Sequence, residues 1–184
     1  MNLIDLEFTA TASSLGDDNK MMVLLKEKNG DRTLPITVST KRGMSLMMRK
    51  VVDIDMPLPL SVADIMKQMF DKMGLRLDRV QLMALSKGMF ICKIVAVKDG
   101  EEFEVDYCQA PDGLILANTF HCRLCIDEEL LEAQYMRKVG ENAYALNLNT
   151  LSVHMLEDAL KHAVEEENYE VASKLRDELQ RRKE

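Results

Sequence analysis

Leu6, Phe8 and Ala10 alternate with polar neighbours, the two-residue period of a strand with one buried face. Residues 11–20 read as a loop. Met21–Lys26 and Arg32–Val38 predict two strands around Lys28-Asn29-Gly30-Asp31. Asn-Gly predicts a type I′ hairpin turn there, because both central positions of that turn take positive φ. From Thr40 to Val52 the period lengthens. Met44, Met47, Met48 and Val51 fall at three- and four-residue steps, which predicts an amphipathic helix. Met56-Pro57-Leu58-Pro59-Leu60 is expected to be extended, since each proline restrains its predecessor. Ser61 suits an N-cap for the next helix, Ile65, Met66, Met69, Phe70 and Met73 its buried side, and Gly74 its end.

Strands follow at Leu77–Leu85, Met89–Val97 and Glu102–Asp106, with turns at Lys87-Gly88 and Asp99-Gly100. The next stretch, Val105–Glu132, organises the chain. It holds a turn at Ala110-Pro111-Asp112, a short helix, a strand at Arg123–Ile126 and a helix opening at Asp127. Pro111 lacks an N–H that the first helical turn would leave unpaired, and Asp112 sets a carboxylate near the positive helix end. Leu114, Ile115, Leu116 and Ala117 leave almost no polar face, so this helix is expected to be buried.

After a polar connector, Gln134–Asn149, the tail changes character. Ser152 can cap a helix carrying Leu156, Ala159, Leu160, Ala163 and Val164. The pattern breaks at Glu165-Glu166-Glu167-Asn168, and a second helix carries Tyr169, Ala172, Leu175 and Leu179. The expected fold class is α+β, a mostly antiparallel sheet with packed helices over residues 1–135, a linker over 136–149 and a C-terminal αα-hairpin over 150–184. A unit as small as this hairpin seldom closes a core unaided. Its stripe, Leu156, Leu160, Val164, Tyr169, Leu175 and Leu179, is therefore expected to dock a partner surface: the main domain, a second copy or another protein. A homo-oligomer is expected.

Apolar residues make up 47% of the 184, enough for a substantial core, and no run is long enough to span a bilayer. MNLIDLEF lacks the basic lead and apolar run of a secretory signal, so a cytoplasmic location with four free cysteines is expected. A net charge of −7 disfavours indiscriminate polyanion binding, yet footprints are local, and Lys41, Arg42, Arg49 and Lys50 form the best basic cluster. Lys41, Arg42 and Arg49 are the phosphate-binding candidates, beside the plainer reading of a solvated helix face.

Asp106 and Asp112, across one turn, are candidate catalytic residues and candidate ligands for Mg²⁺ or Mn²⁺, which could polarise a phosphodiester and activate water. The plainer reading is a strand end and a helix start. His121-Cys122-Arg123-Leu124-Cys125, with Cys108, invites zinc. A strand at Arg123–Ile126 would turn Cys122 and Cys125 to opposite faces, so zinc is not expected.

These residues carry two resemblances. Residues 1 to about 135 resemble the bacterial and plant bifunctional nuclease domain family. The match runs through Leu34-Pro35-Ile36, a helix, the proline-rich connector before Ser61, three strands, the Asp-containing turn with its apolar helix, and Asp127-Glu128-Glu129-Leu130-Leu131. Asp106 and Asp112 fit that family's turn, while Gln109 stands where its arginine is expected and Pro111 where its serine is. The resemblance implies DNase and RNase activity. The tail resembles the UVR motif of excision-repair proteins and some chaperone-associated adaptors through Leu156, Leu160, Ala163, Val164, Glu167-Asn168-Tyr169-Glu170, Ala172 and Leu175-Arg176-Asp177-Glu178-Leu179. It implies protein–protein contact. Two functions are thus expected: metal-assisted hydrolysis of DNA or RNA with a docking hairpin, or a catalytically silent scaffold that binds a repair or protein-quality-control partner.

Overall fold

A seven-stranded sheet in the order β3-β2-β1-β7-β4-β5-β6 forms the body of the protein. Its strands are β1 (Leu3–Ser13), β2 (Lys20–Glu27), β3 (Thr33–Ser39), β4 (Arg76–Ser86), β5 (Met89–Lys98), β6 (Glu101–Gln109) and β7 (Arg123–Asp127). The computed structural model describes residues 2–13, 19–51, 60–86, 88–138, 144–145, 147–151 and 153–183. All pairings are antiparallel except β4 with β7, which a helical crossover over residues 110–120 makes parallel. The fold is α+β. Helices α1 (Thr40–Val51), α2 (Val62–Met73) and α3 (Ala110–Phe120) pack on the sheet, and α4 (Glu128–Gln134) follows β7. A small hairpin of β8 (Arg137–Lys138) and β9 (Tyr144–Ala145) lies within the expected connector, before a 3-10 turn at Leu148–Thr150. Among the described residues, no helix is long and apolar enough to cross a membrane.

Several local expectations shift. The first strand runs on to Ser13, into the segment read as a loop. Neither Asn29 nor Gly30 takes positive φ. The Glu27–Arg32 connection is instead closed by Arg32, whose Nε and Nη2 donate to the two Glu27 carboxylate oxygens, each at 2.9 Å. Among the described residues, Asp99-Gly100 between β5 and β6 is a turn with positive φ at both centres, at 52° and 87°.

The α1 seam is rotated from the methionines. Gly43 and Leu46 are buried, whereas Met44 and Met47 are exposed, because the helix approaches β2 and β3 where Gly43 meets Met21 and Val38. Much of the proline-rich connector, and the side chains of Met48 and Val51, lie outside the described residues. Ser61 caps α2 as expected: its side chain accepts from Asp64 N while the Asp64 carboxylate accepts from the Ser61 N–H, and Gly74 ends the helix at φ 68°. Of the predicted buried side, however, Ile65, Met69 and Met73 are exposed, and the contact runs through Ala63, Met66 and Phe70. The apolar stripe of α2 is wider than the surface it covers.

The main core joins Val23, Leu25, Leu34, Ile36, Val80, Leu82, Leu114 and Ile126. The tail forms α5 (Val153–Glu165) and α6 (Tyr169–Lys183). Glu167 turns the chain at φ 56° and the Asn168 side chain accepts from Val171 N, so the break falls at the predicted acidic stretch. Ser152 lies outside the described residues. Leu156, Ala163, Ala172, Leu175 and Leu179 pack on one another, and Leu148 and Leu151 close the cluster. The 3-10 turn is in turn seated on β3, where Thr37 Oγ1 donates to Thr150 O at 3.4 Å. The hairpin buries its seam within itself and against the segment that precedes it.

Candidate functional site

The entrance of α3 is built by three elements. Strand β6 ends at Gln109, which stands at the N-cap with extended backbone but gives no side-chain cap. Pro111 follows in the first turn with Asp112, so the predicted turn is itself the opening of the helix. A cap amide left free can serve another group. Arg42, projecting from α1, takes that role. Its Nη1 donates to Gln109 Oε1 at 2.8 Å, and its Nη2 lies 3.1 Å from the Asp112 carboxylate. One guanidinium thus spans both side chains at the positive end of a helix.

Gly113 lets the helix come this close. A Cβ there would stand 2.5 Å from Cys92 Sγ and 2.9 Å from Val80 Cγ1, so α3 rests directly on β4 and β5. Of the run predicted to be buried, Leu114, Leu116 and Ala117 are buried and Ile115 partly so; Ala110, read as part of the turn, is buried as well.

Asp106 has a different neighbour. Lys93 of β5 reaches it at 3.5 Å and Glu104 at 2.6 Å, forming a ladder on the sheet face opposite the one that Cys92 and Ile94 turn to the main core. The register slips between Cys92 and Ile94, and Tyr107 takes φ 59°, so a bulge separates Asp106 from the α3 entrance. The two carboxylates are held by different cations. Cys108 lies between them: burial raises its thiol pKa, and the charges of Asp106 and Asp112 raise it further. Beneath it, the Cys92 thiol is pushed up to about 12 by burial, with Cys108 and Asp112 adding to the effect.

Of the remaining candidates, Lys41 is exposed on α1, and the Arg49 and Lys50 side chains lie outside the described residues. Cys125 is buried with its thiol directed to Val80 O, while Cys122 packs against the helix-side cores and burial raises its pKa to about 11. Among the described residues, no three His, Cys, Asp or Glu side chains form a metal-binding group. In the tail, Leu156, Leu175 and Leu179 are interior and Leu160 packs against them, while Val164 and Tyr169 are exposed.

In the sequence Arg42 belongs to a basic helix face and Gln109 stands where an arginine is expected. Nothing local in the sequence joins the two. Pairing across 67 residues leaves no local period, and only the missing charge at Gln109 hints that a cation must come from elsewhere.

Against family models, the bifunctional nuclease domain matches residues 23–138, more than half of the chain. The chain belongs to the bifunctional nuclease domain family. The matched segment runs from within β2 to the end of β8, and so takes in Arg42, Gln109 and Asp112 together. The C-terminal hairpin lies beyond it. Comparison with curated proteins found no match.

Proposed function

We propose that this bifunctional nuclease domain cleaves phosphodiester bonds of DNA or RNA at the α3 entrance. The observation that carries the reading is the reach of Arg42 to Gln109 and Asp112. It brings a guanidinium to the turn whose own sequence lacks one, and a guanidinium can grip a phosphate through two parallel N–H donors. Arg42 then acts as the phosphate ligand, exchanging Asp112 for substrate, with Lys41 on the same helix adding positive charge. Freed from Arg42, Asp112 holds or orients the attacking water.

The oxygen donors at this mouth, the Asp112 carboxylate and Gln109 Oε1, suit a hard cation that retains most of its waters. They would hold Mg²⁺ or Mn²⁺, which supplies charge neutralisation at the phosphate and a more acidic water. Asp106, engaged by Lys93, has a supporting role through the strand that ends at Gln109. The test is cleavage of single-stranded DNA and RNA oligonucleotides by purified protein with Mg²⁺ or Mn²⁺. Asp112→Asn and Arg42→Ala should each abolish it, and activity that survives both rejects the site.

The second reading is a catalytically silent scaffold. Its support is that Asp106 and Asp112 each already carry a cationic partner, which weakens both as metal ligands. In either reading the tail acts as a UVR-like docking element. Val164 and Tyr169 are the stripe residues that face outward, joined by exposed Val153 and Val171, while the other stripe residues hold the hairpin together.

A further inference from the structure

Strand β6 is one edge of the sheet, and Glu101–Tyr107 is exposed at every position. The opposite edge differs: β3 is met by α4 and by the 3-10 turn, and Met136 N donates to Thr33 O there. An open edge of this length carries a row of backbone donors and acceptors, which natural sheets normally shield.

The two faces of β6 are chemically distinct. Glu102, Glu104 and Asp106 lie on one, where Arg79 binds Glu102 and Lys93 binds Glu104 and Asp106. Phe103 and Val105 lie on the other. They form one wall of a groove of about 500 Å³ whose opposite wall includes Met66, Phe70 and Met73 of α2, with Phe120 between. Of the methionines that α2 leaves exposed, Met73 faces this groove. Lys98 is the one charged side chain among its lining residues.

We propose that β6 receives an extended polypeptide segment whose apolar residues alternate with Lys or Arg, adding an eighth strand to the sheet. Its apolar side chains enter the groove beside Phe103 and Val105. Its basic side chains stand opposite Glu102, Glu104 and Asp106, whose inner sides are already occupied by Arg79 and Lys93. Main-chain bonding gives attachment, and the alternation gives selectivity.

Charge complementarity selects this occupant over a second copy. β6 has four acidic residues, Glu101, Glu102, Glu104 and Asp106, and no basic one. Antiparallel pairing of two β6 strands sets this row of carboxylates against itself or, shifted by one residue, against Phe103 and Val105. Like charges directly opposite are unfavourable.

The experiment uses the full chain and a fluorescent peptide, Lys-Val-Lys-Leu-Lys-Val-Lys, with a Glu-for-Lys version and a block version (Lys-Lys-Lys-Lys-Val-Leu-Val) as controls. Anisotropy should show saturable binding of the alternating peptide at least tenfold tighter than either control. Glu104→Lys and Phe103→Ser, each checked for native circular dichroism, should each weaken it at least tenfold. Hydrogen exchange should slow at β6 amides on addition of the peptide. Equal affinity for the block peptide, or unchanged affinity in both variants, overturns the proposal. So does a concentration-dependent dimer whose β6 amides are already protected without peptide, because a second copy then holds the edge.

Discussion

Arg42 stands with one guanidinium nitrogen 3.1 Å from the carboxylate of Asp112, a residue 70 positions later in the chain. The pair ties α1 to the opening of α3, yet both side chains remain well exposed, at 38% and 49%. An ion pair of that exposure contributes at most about 1 kcal/mol. Arg42→Ala should therefore shift the melting temperature by only a few degrees while weakening single-stranded oligonucleotide binding at least tenfold. Arg42→Lys should restore part of the affinity and none of the two-pronged grip. Parallel thermal melts and oligonucleotide titrations check this, and a loss of binding that tracks a loss of folding would refute it.

Gly113 is fixed by the surface beneath it. Gly113→Ala places a methyl group against Cys92 and Val80 and should cost about 1–3 kcal/mol through overpacking. Combining it with Cys92→Ala removes the nearer of the two obstacles. The double variant should be more stable than the sum of the single changes predicts, measured by urea denaturation. Strict additivity would mean that the helix slides away from β5 without resistance.

The thiols give a reading of the local charge. A pKa raised towards 12 leaves Cys92 about one part in ten thousand thiolate at pH 8, so it should resist iodoacetamide in the native state. Cys108 is less deeply buried and should react before Cys92, though more slowly than free cysteine. Because Asp106 and Asp112 both raise its pKa, removing either charge lowers it and increases the thiolate present at a given pH. Asp106→Asn and Asp112→Asn should each speed Cys108 labelling several-fold at pH 8, followed by peptide mapping. An unchanged rate in both would show that neither carboxylate acts on this thiol.

Arg182 fastens the end of the tail. Its Nη1 and Nη2 donate to the carbonyls of Leu151 and Leu148, both at 2.7 Å, and its Nε to Glu178 Oε1 at 2.8 Å. The guanidinium thereby satisfies two carbonyls of the 3-10 segment that covers the hairpin core. Arg182→Ala should destabilise the hairpin by about 2–3 kcal/mol, in the range of charge-assisted hydrogen bonds. Hydrogen exchange should accelerate across α5 and α6 while β4 and β7 stay protected. Uniform acceleration through the sheet would mean that tail and body unfold as one unit.

Local chemistry made much of this architecture legible. The Ser61 N-cap, the apolar α3 and the break at Glu165–Asn168 each follow from neighbours within a few residues. What escaped depends on distant partners. The α1 methionines carry the stronger periodic signal, yet Gly43 faces the sheet because a backbone without a side chain fits against Met21. Asn29-Gly30 has the favoured turn composition, but Arg32 grips Glu27 and sets a different loop. At the site, Asp106 and Asp112 are close in sequence and divided by the bulge at Tyr107, whereas Arg42 and Gln109 are distant in sequence and bonded.

The junction of β1 with β7 sets the order in which this protein can be completed during synthesis. Leu3, Ile4 and Asp5 pair with Asp127, Ile126 and Cys125, and Arg123 binds Asp5 across the seam. At ordinary translation speeds of about 5–20 residues per second, the ribosome emits the second partner on the order of 10 s after the first. Throughout that interval the β1–β2–β3 meander has one flank of β1 bare, in a crowded milieu where bare strands recruit strangers. A nascent chain stalled anywhere before Arg123 is thus a natural client for a holdase, and release of that client should coincide with the emergence of β7.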